Sequence, residues 1–147
     1  MSETYPRLVA VVLDATDARE LAEFYRRLLG FDYRPGDERP EPGQPDQRGE
    51  DWLVLFDQAG APRLAIQQVA ALPAPTWPDP TVPQQLHLDL SVGTIEELAE
   101  QHGRALSLGA TLLEDRSTDP EESLNVYADP AGHPFCILVS PSAEPPH

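Results

Sequence analysis

Residues 129–134 read Asp-Pro-Ala-Gly-His-Pro and residues 57–62 read Asp-Gln-Ala-Gly-Ala-Pro, one pattern, D-x-A-G-x-P, written twice 72 positions apart. Asp bonds its own backbone in tight turns and Gly tolerates positive φ, so each copy spells a β-hairpin turn. Strand-like runs flank both turns: 52–56 and 63–69 in the first half, 124–128 and 135–140 in the second. Upstream, Leu21-Ala-Glu23 matches Leu98-Ala-Glu100, each inside a helical pattern. The first helix carries apolar residues at Leu21, Phe24, Tyr25, Leu28 and Leu29 and stops at Gly30. The second carries Ile95, Leu98, Ala99, His102 and Leu106 and stops at Gly109. Asp17-x-x-Glu20 and Thr94-x-x-Glu97 have capping-box spacing at the two starts. Strand runs at 8–15 and 85–92 precede the helices, and short ones at 31–34 and 110–114 follow them.

The order is therefore β-α-β-β-β twice. A single such module leaves one sheet face bare and its edges open. The expected fold is α+β, with tandem βαβββ modules forming an eight-stranded cup and the helices outside. The expected boundaries are 1–69 for the first module, 70–83 for a connector with five prolines, 84–140 for the second module, and 141–147 for a disordered tail. Within the first module, the charged, Pro/Gly-rich stretch 34–51 (RPGDERPEPGQPDQRGED) is expected to be a flexible, exposed loop.

Composition narrows the partners. The chain has 147 residues and a formal charge of −15, and every basic side chain is Arg. So acidic a surface repels phosphate backbones and anionic headgroups, which argues against nucleic acid and membrane. The longest apolar run, Leu8–Leu13, is too short to span a bilayer, and the first residues show no signal peptide. One cysteine, Cys136, allows no intrachain disulfide and fits a reducing cytoplasm.

Candidate site residues follow from strand alternation. On the strand ending at Val92, His87, Asp89 and Ser91 share one face and the leucines share the other. The leucine face packs on a helix, so His87 and Asp89 look into the cup. Cys136 and Leu138 share the equivalent face of the last strand, with Phe135 and Ile137 turned toward the helix. Cys136 reads best as a small buried hydrophobe, although a thiolate–imidazolium pair or half of a soft zinc site uses the same two residues. Trp52, Phe56, Trp77 and Tyr127 are the aromatics available to grip a flat ligand. Trp77 stands among prolines, where a solvated indole would be wasteful, so it is expected to insert into the body. Gln84 and Gln85 could orient a polar ligand group. His102 and His133 are given no chemistry, and Asp14 and Asp89 form no acid–base pair.

The segments VVLDATDARELAEFYRRLLGF, QLHLDLSVGTIEELAEQHGRALSLGA and VYADPAGHPFCILV resemble the vicinal-oxygen-chelate superfamily. That group includes glyoxalase I, bleomycin-resistance proteins and extradiol dioxygenases. The resemblance covers roughly residues 8–140 and is narrowest with the glyoxalase-like subgroup. It implies a ligand in each module's first strand and a Glu in each module's last. Carried over by position, these fall on Ala10, Leu64, His87 and Cys136, so only His87 matches in type. No metal and no other cofactor are therefore expected, a divalent ion being the exception to consider; a bulge in the strand at 63–69 could instead bring Gln67 round. The expected function is binding of a small organic, aromatic ligand in a sequestration or resistance-type role, by a homodimer paired through sheet edges. The alternative is a lyase, isomerase or dioxygenase in which His87 is catalytic or binds a metal. A weaker third reading is an interaction module that uses the acidic surface.

Overall fold

The computed structural model describes residues 5–81 and 86–140. Gln84, Gln85, the beginning of the strand expected from residue 85, and the tail 141–147 lie outside them. The chain divides into two compact units, Met1–Ala71 and Leu72–His147.

Unit 1 runs β1 (Val11–Ala15), α1 (Ala18–Leu29), β2 (Asp32–Tyr33), β3 (Trp52–Phe56) and β4 (Pro62–Gln68). Its open sheet has the order β1-β4-β3-β2. β1 is parallel to β4 and the other pairs are antiparallel. Unit 2 repeats the plan with β5 (Leu88–Val92), α2 (Ile95–Leu108), β6 (Thr111–Arg116), β7 (Leu124–Ala128) and β8 (Pro134–Val139). Its order is β5-β8-β7-β6, again with one parallel pair, β5/β8. The molecule is thus α+β, built from two four-stranded mixed sheets, each with one helix.

Local chemistry sets both helix boundaries. Asp17 Oδ1 accepts from Glu20 N at 3.1 Å, and Thr94 Oγ1 accepts from Glu97 N at the same distance. Each satisfies an amide that the first helical turn leaves without a partner. Gly30 (φ +70°) and Gly109 (φ +119°) end the helices in the left-handed region that glycine enters without a Cβ clash. α1 buries Leu21, Ala22, Phe24, Tyr25 and Leu28. α2 buries Leu98 and Ala105 and leaves Leu106 and Ile95 exposed, so its buried stripe differs from the expected one.

The two hairpins close alike. Asp57 N donates to Ala61 O, and Asp129 N donates to His133 O. They then part. In β7/β8 the register is continuous, with Tyr127 opposite Phe135 and Val126 opposite Cys136. In β3/β4 Phe56 faces Pro62 but Leu55 faces Leu64, so Arg63 is an extra, bulged residue. The bulge slips the rest of β4 by one position. Val12 consequently pairs with Ala65, as Asp89 pairs with Cys136. The first-unit counterpart of Cys136 is therefore Ala65; Leu64, expected from turn spacing, lies in register with Val11 and is buried. Gln67, two residues on, falls on the Ala65 face but is exposed.

Candidate functional site

In unit 1, the sheet face turned away from α1 forms a cavity of about 410 Å³. Val12, Trp52, Val54, Phe56 and Ala65 line it, all at alternate positions of their strands, together with Ala10 and Arg34. Trp52 and Phe56 are thus brought to one wall. Arg34 is the one charged lining residue among those described.

Arg34 owes its position to the four residues Arg34-Pro-Gly-Asp37. Asp37 N donates to Arg34 O at 2.9 Å, and Gly36 sits at φ +96°. Pro second and Gly third is the chemistry of a type II turn. The turn brings the Asp37 carboxylate back onto the guanidinium, with Arg34 Nε donating at 3.1 Å and Nη2 at 3.3 Å. Asp37 has no exposed surface and also accepts from Val54 N at 2.9 Å. A second guanidinium, Arg48, lies 3.6 Å away. Further along the same Pro/Gly-rich stretch, Asp46 takes a bidentate pair from Arg19, with both contacts at 2.8 Å. Arg19 Nη1 also donates to Asp37 O at 2.7 Å, and its guanidinium lies 4.9 Å from the centre of the Tyr33 ring. Burial, followed by the bond to Glu23, pushes the Tyr33 phenol up to about 12. Segment 34–51 is therefore fastened at Asp37 and Asp46, while most of its other residues are exposed. Arg34 and Asp37 escaped the sequence reading because the stretch was read only as loop; the R-P-G-D turn was the available signal.

In unit 2, the face turned away from α2 brings together His87, Asp89 and Cys136. One potential ligand atom from each lies within 4.8 Å of the others, and His87 Nε2 is 3.2 Å from Asp89 Oδ1. The Trp77 indole stacks on the His87 imidazole, with centroids 4.0 Å apart and planes 3° from parallel. His87 Nδ1 is buried without a hydrogen-bond partner. Cys136 packs with Leu124 and Val126, against which Trp77 and Leu138 also rest. Burial first, then the neighbouring Asp89 carboxylate, pushes the thiol up to about 11. It is a protonated, weakly nucleophilic group at neutral pH.

Tyr127 is not on that face. It is completely buried toward α2, stacked on Phe135 with centroids 5.1 Å apart, and its hydroxyl lies 2.8 Å from His102 Nδ1. With the Asn125 amide oriented to satisfy its neighbours, its oxygen accepts from Tyr127 at 3.2 Å and its nitrogen donates to Asp115 at 3.1 Å. Register explains the placement: Tyr127 lies opposite Phe135, which the sequence already turns toward the helix. His102, given no chemistry from sequence, is thus a hydrogen-bonded member of the helix-side core. His133 N bonds Asp129 Oδ1 within the hairpin turn.

A family model described as a glyoxalase-like domain matches residues 10–138, and the chain belongs to that family. Its likeness to solved structures is one of fold. A glyoxalase/bleomycin resistance protein/dioxygenase family enzyme from Burkholderia phytofirmans is 19% identical over 89% of this chain and 96% of its own, with a TM-score of 0.62. A glyoxalase-related enzyme from Fulvimarina pelagi is 20% identical over 93% and 90%, with the same score. The fosfomycin resistance protein FosX from Listeria monocytogenes, solved with Mn(II) and sulfate, is 16% identical over 93% and 94%, with a TM-score of 0.61. A hard ion such as Mn(II) prefers carboxylate, carbonyl and water oxygens. Among the described residues, the group close enough to hold a metal ion is His87, Asp89 and Cys136, one imidazole, one carboxylate and one buried thiol. Among the described residues, no helix is long and apolar enough to cross a membrane.

Proposed function

We propose that this glyoxalase-like protein binds a small, flat, aromatic molecule in the unit 1 cavity, in a sequestration or resistance-type role that needs no hard metal ion. The observation that carries the reading is the cavity itself. Its volume, about 410 Å³, lies in the range of small-molecule sites, and its wall presents Trp52 and Phe56 among small aliphatic groups. Ala10 and Ala65 present only methyl groups to the cavity and leave room beside the two rings. Rigid aromatic walls give a flat ligand contact area at little entropic cost. Trp77, stacked on His87, gives unit 2 an aromatic surface of its own.

The test is a thermal-shift screen of aromatic compounds against the protein and its Phe56→Ala variant. The reading predicts that some compounds raise the Tm of the protein and that Phe56→Ala loses most of that increase. No shift with any compound up to millimolar concentration would contradict it.

One observation favours a second reading, an enzyme of the lyase, isomerase or dioxygenase kind in which His87 is catalytic. His87, Asp89 and Cys136 come close enough to hold a soft or borderline divalent ion such as Zn(II). Zinc titration followed by elemental analysis decides it: one equivalent retained by the protein, and lost in His87→Ala, would support the enzyme. Protein that retains none excludes the zinc-dependent form.

A further inference from the structure

We propose that Arg34 makes the unit 1 cavity selective for anions, so that its ligand is a flat apolar body carrying a carboxylate or similarly compact oxyanion. This rests on the reading of that cavity as the ligand site. Two observations carry it.

The first is the shape of the opening for charge. Every lining residue but Arg34 is apolar, and no acidic side chain lines the cavity among the described residues. A guanidinium beside apolar walls interacts more strongly with an anion than it would in water, because less solvent screens the pair.

The second is that Arg34 is held in place before any ligand arrives. Its backbone amide donates to Val54 O at 2.9 Å, directly across from a cavity residue. Its Nε and Nη2 are anchored on Asp37, which is itself fixed by Val54 N. That geometry leaves the Nη1 amino group and one Nη2 hydrogen to donate, the planar fork that suits a carboxylate. A side chain already ordered loses little entropy on binding.

The experiment compares 2-naphthoate with its neutral isostere 2-naphthamide, titrated by tryptophan fluorescence into the protein, Arg34→Gln and Arg34→Lys, with circular dichroism confirming that each variant is folded. A charge-assisted hydrogen bond predicts that the carboxylate binds the protein at least about tenfold tighter than the amide. In Arg34→Gln that preference should vanish while the amide binds as before. Arg34→Lys keeps the charge without the fork and should retain part of the preference, which covers the case in which the glutamine variant fails to fold. Equal binding of the two compounds by the unaltered protein, or a preference that survives in folded Arg34→Gln, would overturn the anion assignment and leave the cavity reading standing. Binding of neither compound would overturn the assignment together with that reading.

Discussion

Asp37 is a carboxylate without exposed surface in the middle of a stretch whose composition says loop. It neutralises Arg34, lies near Arg48 and satisfies the buried Val54 amide, so one side chain joins the loop to the cavity strand. Replacing it with Ala leaves a buried N–H unpaired and Arg34 without its counterion. The Asp37→Ala variant should lose about 2–4 kcal/mol of stability, read as a lowered urea midpoint. A variant as stable as the unaltered protein would mean that the segment is not held there. Cys136 makes a second prediction. Its thiol titrates near 11 in the folded state, above the ordinary cysteine value, because burial disfavours the thiolate. Iodoacetamide at pH 7.5 should therefore modify the native protein far more slowly than the unfolded one. The linkage has a definite sign. The folded state holds the proton more tightly, so this contribution to stability is complete below the unfolded thiol's pKa and is lost as pH rises toward 11. At this scale the sequence was partly legible. Period-two alternation brought His87, Asp89 and Cys136 together, and Trp77 inserted as its prolines suggested. Tyr127 was misplaced because it was chosen for its ring rather than for its register against Phe135.

At the scale of elements, the capping residues and terminal glycines were legible because they act within one turn of the chain. Asp17→Ala and Thr94→Ala each remove one acceptor from a helix start and should each cost about 1 kcal/mol by urea denaturation. Because the two caps share no partner, the double variant should lose the sum. A double variant no worse than either single one would mean that these helix starts do not limit stability. Long-range register was not legible. The bulge at Arg63 carries no glycine to announce it, yet it decides that Ala65 rather than Leu64 faces the cavity. α2 shows the same limit. Leu98 and Ala105 are seven residues apart and so nearly eclipsed along the helix, whereas Leu106 is turned by a further 100° and stays exposed. The sheet takes the small residue because it allows close approach, a choice that apolar character alone does not express.

At the scale of the whole molecule, the repeated D-x-A-G-x-P turn carried the architecture, since each copy fixes a hairpin and the spacing fixes two like modules. The charge of −15 has its own consequence. Like charges repel in the compact state, and salt screens them over roughly 10 Å at 0.1 M. Raising sodium chloride from low to physiological strength should raise the Tm. A fall would show that ion pairs such as Arg19–Asp46 outweigh the general repulsion. The central claim, that an aromatic molecule occupies the unit 1 cavity, is tested most directly by fluorescence. The chain has two tryptophans, and Trp77→Phe leaves Trp52, in the cavity wall, as the only indole. Titrated with naphthalene- and benzene-based compounds, this variant should show a saturable change in Trp52 emission at one ligand per chain. Emission that stays constant with every compound up to millimolar concentration would contradict the account.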